Sequence, residues 1–251
     1  MAYADLRCKT AIVTGAASGL GAAVVRRLVE EGCTVAAVDI QDKVKTMAAG
    51  FDQGAVLPLI ADVGDENACE GYVAATVARF GKVDLFFNNA ALIGRRELLV
   101  DMPVDEFDRV HRVNTRGVFL GLRAVLRQMI KQGTGGAIVS TSSVGGLKSS
   151  ERGTAYGSAK RAVIALGATA ALENGKYGIR VNTICPGAMD TPMLAPALNT
   201  TGDVSNMFKH VPIPRPANPA EVAAFVTYLL SGQASFQTGG TYTVDGGLML
   251  V

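Results

Sequence analysis

Short apolar runs rich in β-branched residues alternate with longer amphipathic stretches along the whole chain, and this alternation limits the fold more than any other feature. Thr10 to Val13, Thr34 to Val38, Val56 to Ile60, Val83 to Phe87, Ala137 to Thr141, Ile179 to Ile184 and Thr241 to Val244 read as strands. Helices are expected between them: one after Gly19, one over Cys69 to Phe80, a long one from about Asp105 to Lys131, and one over Thr154 to Asn174. In the first, Leu20, Val24 and Leu28 share a face, Arg26, Arg27, Glu30 and Glu31 point outward, and Gly32 stops the helix. Asn218-Pro219-Ala220-Glu221 reads as a last helix start, with Asn as cap and Pro in the first turn. Strands that are apolar throughout must be covered on both faces, so the expected architecture is α/β, a doubly wound parallel sheet of about seven strands with helices on both sides.

At 251 residues the chain is long enough for one large domain, and no linker, low-complexity tract or repeat divides it. A net charge of +2, with no basic run, argues against a nucleic-acid partner. The charge-free stretch from Ala162 to Leu172 is far shorter than the roughly 20 residues that span a bilayer, so no membrane partner is expected. Cys8, Cys33, Cys69 and Cys185 are scattered, and the chain has only two His, so no metal site is expected. A cytoplasmic protein fits these features.

Polar groups cluster where the strands end. Gly15, Gly19 and Gly21, with Ser18 and Leu20 between, follow the first strand and open a helix. Such a turn lets a pyrophosphate approach the backbone at a helix N-terminus. With 29 glycines, this spacing arises by chance roughly 0.4 times, so its position between strand and helix carries the argument. Asp39 closes the next strand, with Ile40 after it. A carboxylate there accepts the ribose hydroxyls of an adenosine and repels a 2′-phosphate. No Arg or Lys lies in the turn or directly after Asp39, which favours NAD over NADP.

Tyr156 and Lys160 are four residues apart and share one helix face. A cation about 4 to 5 Å from a phenol, at an effective dielectric near 20, favours the phenolate by roughly 3 to 4 kcal/mol. A tyrosine shifted down by that amount reaches the range of efficient general acid–base chemistry.

Taken together, Thr14-Gly15-x3-Gly19-Leu20-Gly21, Asp62-Val63, Asn88-Asn89-Ala90, Asn114, Ser142-Ser143, Tyr156-x3-Lys160 and Pro186-Gly187 resemble the short-chain dehydrogenase/reductase family over almost the whole chain. The resemblance implies a single Rossmann-type domain, with a cofactor half over about 1–135 and a catalytic half over about 136–251. It implies an NAD-dependent oxidoreductase that interconverts a secondary alcohol and a ketone. Asn114, Ser143, Tyr156 and Lys160 would be the catalytic tetrad: Tyr156 moves the proton, Ser143 holds the substrate oxygen, Lys160 lowers the Tyr pKa and grips the nicotinamide ribose, and Asn114 holds a relay water. Asp62 and Val63 would bind adenine; Asn89, Ala90 and Ala91 would line the cleft; Ile184, Pro186, Gly187 and Thr191 would hold the nicotinamide end. Ala91 replaces the glycine usual there. The loosely patterned stretch at about 188–216, with Met189, Met193, Leu194, Leu198, Met207 and Phe208, is read as a lid over an apolar substrate.

The resemblance also implies a homotetramer built on the long helices, with Val118, Leu122, Val125, Ala165, Ala168 and Leu172 offered for assembly. Two alternatives stay open. A 3-oxoacyl-carrier-protein reductase is disfavoured by Asp39 and favoured by Arg95 and Arg96, because the carrier is acidic. A catalytically inactive dinucleotide-binding protein is disfavoured by the intact tetrad.

Overall fold

The computed structural model describes residues 3–194 and 208–251. Seven strands form one parallel sheet, β1 (Thr10–Thr14), β2 (Thr34–Asp39), β3 (Val56–Ile60), β4 (Leu85–Asn88), β5 (Gly136–Thr141), β6 (Ile179–Pro186) and β7 (Thr241–Val244). Their order, β3-β2-β1-β4-β5-β6-β7, reverses direction between β1 and β4. That switch point opens a crevice at the carboxyl ends of the strands, where ligands of such sheets bind. Pro58, which has no N–H for a ladder, stands in edge strand β3.

Alternation along the strands divides the core into two layers. Val13, Val35 and Val139 face the helices α1 (Gly19–Glu30) and α8 (Pro219–Leu230) together with Val24, Leu28, Val226 and Leu229. Ile12, Ala36, Phe86 and Ile138 face the other way, against α3 (Glu66–Phe80), α5 (Gly117–Gln132) and α7 (Thr154–Asn174). Helix α8 starts as expected, with Asn218 and Glu221 forming a capping box.

The expected helix over 105–131 is two helices. α4 (Val104–His111) and α5 are joined by a π-helical turn, Arg112–Arg116, that adds a residue without breaking the rod. The widened turn places Asn114 fully inside the protein. Helix α3 begins before Cys69 because Asp65 accepts the Ala68 N–H at 2.8 Å. A short α2 (Lys43–Ala48) was not expected; it buries only Val44 and Ala48 and leaves no helical period to read.

Two outward assignments are corrected. Glu31 is buried, because Arg27 Nε and the Tyr3 N–H donate to its carboxylate, both at 3.0 Å. Val118, Leu122 and Val125 are buried in the chain's own core and offer nothing for assembly. Of the residues offered, Ala165 and Leu172 are exposed, and Ala165 lines an apolar groove beside His111 together with Thr115, Phe119, Ala162 and Leu166.

Candidate active site

Every group singled out at the strand ends lies along the carboxyl edge of the sheet. Gly15 has φ +68°, and a Cβ there would stand 2.9 Å from Asn89 Nδ2 and 3.0 Å from Ala90 Cα. A Cβ on Gly21 would stand 2.0 Å from the Gly15 carbonyl oxygen, which no side chain can satisfy. Glycine at both places is set by close backbone approach. Ser18 precedes α1 in an extended conformation and its side chain makes no capping bond. The first N–H groups of α1 thus keep their affinity for an anion. Thr191 closes over the turn, its Cγ2 3.2 Å from where a Gly19 Cβ would stand.

Asp39 does more than end a strand. Its carboxylate accepts the Ala17 N–H at 2.9 Å, inside the glycine turn, and the Gln41 N–H at 2.9 Å. Ile40 beside it is 64% exposed, an apolar surface at the cleft rim. Asp62 accepts from the Gly64 N–H at 2.8 Å and pairs with Arg112 at 2.7 Å. Partial burial works to raise its pKa, and the Arg112 and Gly64 hydrogen bonds overcome this and leave it low. Val63 is buried, packed so near Gly117 that a Cβ there would meet its Cγ2 at 2.9 Å.

Thr14, fully buried, accepts the N–H groups of Asn89 and Ala90 on its hydroxyl at 2.9 and 3.1 Å. Asn89 Nδ2 donates to the Thr14 carbonyl, and Asn89 Oδ1 accepts from the Thr141 hydroxyl at 3.2 Å. These bonds join the ends of β1, β4 and β5 at the switch point. Ala91 does not have a left-handed backbone, the non-glycine residues of that kind among the described ones being Cys8 and Arg152. Glycine is therefore not required at position 91. Ile184 is buried in the core, Gly187 lies against Asp245 with Cα 3.0 Å from its would-be Cβ, and Pro186 ends β6.

The four residues offered as a tetrad come from three elements. Ser143 follows β5 and caps the short helix α6 (Val144–Leu147) through the Gly145 N–H. A Cβ on Gly145 would stand 3.5 Å from Ser143 Oγ and 3.6 Å from Tyr156 Cε1, so hydroxyl and phenol ring meet over that glycine. Lys160, one turn along α7, is buried beneath, its Nζ 5.7 Å from the Tyr156 ring centroid. It donates to the Thr141 carbonyl at 2.8 Å, using one of its three donors. Asn114 spends its amide on Leu92, accepting the N–H at 2.9 Å and donating to the carbonyl at 2.7 Å. It pins the loop after Ala91.

The direction of the Tyr156 shift is opposite to the expected one. Burial pushes its phenol above the ordinary value, and the Ser143 hydrogen bond only offsets part of this. Burial likewise pushes Lys160 down to about 8. Sequence spacing supplied the neighbouring charge but not the desolvation, which disfavours the charged form of both groups. Thr14 stands in the glycine motif and Thr141 ends a strand, but neither was given a role from the sequence; Arg112, two residues before Asn114, was missed, and position was its only signal.

In the described flanks of the stretch read as a lid, Met189 bridges Ala217, the Asp190 N–H donates to the Ala217 carbonyl at 2.9 Å, and Phe208 and Val211 are buried. Leu198 and Met207 lie outside the described residues.

A doubly wound sheet with a glycine turn at its switch point and a Ser–Tyr–Lys cluster across the cleft defines a dinucleotide-dependent oxidoreductase, and residues 15–249 match the family model described as enoyl-(acyl carrier protein) reductase. The chain belongs to the short-chain dehydrogenase/reductase family and interconverts an alcohol and a ketone at a CH–OH carbon. It is 38% identical to levodione reductase of Leifsonia aquatica over 95% of this chain and 93% of that one. The crystal structure of levodione reductase superimposes with a TM-score of 0.93 at 37% identity, over 98% and 99% of the two chains. The 2,5-dichloro-2,5-cyclohexadiene-1,4-diol dehydrogenase of Sphingobium indicum is 38% identical over 98% and 99%. NAD+-bound xylitol dehydrogenase superimposes with a TM-score of 0.91 at 35% identity, over 96% and 99%. Among the described residues, no helix is long and apolar enough to cross a membrane.

Proposed function

We propose that the chain works with NAD(H) on an apolar, carbocyclic ketone and its secondary alcohol, with Tyr156 as general acid/base. The observation that carries this is the meeting of the Ser143 hydroxyl and the Tyr156 phenol over Gly145, with Lys160 below. When bound, the nicotinamide supplies hydride to the carbonyl carbon or takes it from the carbinol carbon. The Tyr156 phenol, kept protonated at neutral pH by burial, gives its proton to the ketone oxygen in reduction and recovers it in oxidation. Ser143 donates a hydrogen bond to the same oxygen and stabilises the charge that gathers there. Lys160 offers its Nζ donors to the nicotinamide ribose and keeps a positive charge beneath the phenol. Asn114 fixes the neighbouring loop through Leu92.

The residues fit the cofactor. Gly15 and Gly21 leave no Cβ in the turn, the N-terminus of α1 lacks a side-chain cap, and Asp39 stands at the end of β2. Asp39 and the absence of a basic residue in the turn support NAD over NADP, as does the likeness to an NAD+-bound enzyme. Ile40, Asp62, Val63, Asn89, Ala90, Ala91, Pro186, Gly187 and Thr191 complete the proposed cofactor site. A carbocyclic substrate is supported by the relative named for a cyclohexadiene diol, and an apolar one by Leu92, which packs on the cluster of Val110, Ala155 and Ala159.

Titration of NADH against NADPH over a panel of cyclic and open-chain ketones tests the reading. Asp39→Ser is expected to weaken NADH by about tenfold or more, the scale of a lost hydrogen bond to a charged group, and to admit NADPH. If the preference for NADH survives that change, the account of cofactor choice is wrong. The exposed Arg95 and Arg96 favour the second reading, a 3-oxoacyl-carrier-protein reductase, which a preference for NADPH and for carrier-bound substrates would establish. Absence of turnover with any partner would favour an inactive dinucleotide binder.

A homotetramer is proposed on the groove of Thr115, Phe119, Ala162, Ala165 and Leu166, apolar surface that a second copy would cover. Light scattering at monomer mass would contradict it. The four free cysteines suit a reducing, cytoplasmic setting.

A further inference from the structure

The loop that follows Ala91 is held by two side chains of the α4–π-turn rod. Asn114 takes both backbone groups of Leu92, and Glu106 on α4 accepts the N–H of Arg95, three residues farther along the loop, at 2.7 Å. Glu106 is only 8% exposed. Arg109 completes it with two bonds, Nε to Oε2 at 2.8 Å and a terminal nitrogen to Oε1 at 2.9 Å. Between the two anchors, Gly94 has φ +75°, and a Cβ there would stand 2.4 Å from Val110 Cγ2 and 2.8 Å from Glu106 Oε1. The backbone at Gly94 therefore lies directly on the carboxylate and on Val110.

This strap sits on the substrate side. Leu92 packs on Val110, Ala155 and Ala159, and the last two flank Tyr156 and Lys160 in sequence. A strap fixed at one end only would swing about Leu92 and change the shape of the wall facing the phenol. The proposed cofactor contacts of this segment end at Ala91, and Asn114 holds Leu92 between them and the Glu106 anchor whatever stands at position 106.

We propose that Glu106 is a positioning residue that fixes the Leu92–Arg95 strap over the substrate face of Tyr156, and so sets substrate affinity without touching substrate or cofactor. Its second anchor is a buried carboxylate that makes three hydrogen bonds at once, the one from the Arg95 N–H being the bond that holds the strap. Arg109 keeps that carboxylate charged, its guanidinium and the Arg95 N–H holding the pKa down to about 2.

The test uses the full chain with NADH and the best ketone of the panel, in wild type, Glu106→Ala and Glu106→Gln. Glu106→Ala should raise the ketone KM about tenfold or more, the scale expected when a charged hydrogen-bond partner is lost. It should leave kcat within about threefold and the NADH Kd, read by fluorescence, within about twofold, since neither depends on the strap. Glu106→Gln keeps an oxygen for Arg95 and should recover most of the KM. In parallel, amide exchange across Leu92–Glu97 should quicken about tenfold in Glu106→Ala, with the glycine turn unchanged. An unchanged KM, a KM and NADH Kd that rise together, or no recovery in Glu106→Gln overturns the proposal. The KM arm rests on the ketone-reductase reading and the exchange arm does not. If the wild type reduces no ketone, that reading fails, and exchange alone decides for or against Glu106. If Glu106→Ala does not fold, Gly94→Ala displaces the same strap and is read in the same way.

Discussion

Tyr156→Phe should lower ketone reduction by at least about a hundredfold and leave NADH affinity within about twofold, the signature of a lost general acid. The change removes one oxygen and nothing else. The ring still packs beside Gly145, and Lys160 keeps its bond to the Thr141 carbonyl, so the cleft keeps its shape. Without the phenol, the ketone oxygen has only the Ser143 hydroxyl nearby, and that group stabilises charge without delivering a proton at neutral pH. The loss should appear in kcat and in kcat/KM alike, as for an interaction made chiefly in the transition state. Stopped-flow turnover beside fluorescence titration of NADH separates the two quantities. Unchanged turnover would remove Tyr156 from the mechanism.

Gly21→Ala should cost the dinucleotide affinity more than any other single methyl in the chain. The added Cβ would stand 2.0 Å from the Gly15 carbonyl oxygen and 3.1 Å from Ala16 Cα, inside backbone and not against a side chain that could turn away. Either the turn or the start of α1 must move by more than an ångström. Both the glycine turn and the N–H groups of the helix would then miss the pyrophosphate. A loss of about a hundredfold in NADH affinity is expected, from several hydrogen bonds of about 1 kcal/mol each given up together. The turn is also tied to Asp39 through the Ala17 N–H, so the preference for NADH over NADPH should weaken in the same variant. Calorimetric titration with both cofactors checks it. Wild-type affinity would show that the pyrophosphate binds elsewhere.

Much of this site was legible because its signals are local. A glycine that must accept a backbone at close range, an Asp that closes a strand, and a Tyr–Lys pair one helical turn apart each depend on a few neighbours in sequence. The strands were legible for the same reason: runs such as Ala11-Ile12-Val13 are apolar at every position only when both faces are covered. What sequence did not show depends on distant packing. The apolar period runs on through Arg112–Arg116, so one added residue in a π turn leaves no mark until Asn114 is found turned inward onto Leu92. Glu31 looks like a surface acid until Arg27 and the Tyr3 N–H are seen to hold it. Val118, Leu122 and Val125 have the composition of an assembly face but are buried in the chain's own core, while Phe119 on the same helix is exposed. The Tyr156 shift is the sharpest case. Spacing supplies the cation, whereas the sign comes from desolvation of the phenol, which no spacing shows.

That sign bears on the account as a whole. With its pKa raised, the phenol is protonated at neutral pH and poised to donate, so ketone reduction should run there without titration. Alcohol oxidation needs the phenolate, whose fraction grows about tenfold per pH unit below the pKa. The most direct test is therefore single-turnover oxidation of the alcohol with NAD+ as pH is raised from below neutral toward about 8, the range in which Lys160 keeps its charge. The account predicts a rate that climbs close to tenfold per unit in wild type and stays flat in Tyr156→Phe. A wild-type rate that is flat over that range, or a slope that persists without the phenol, would contradict it.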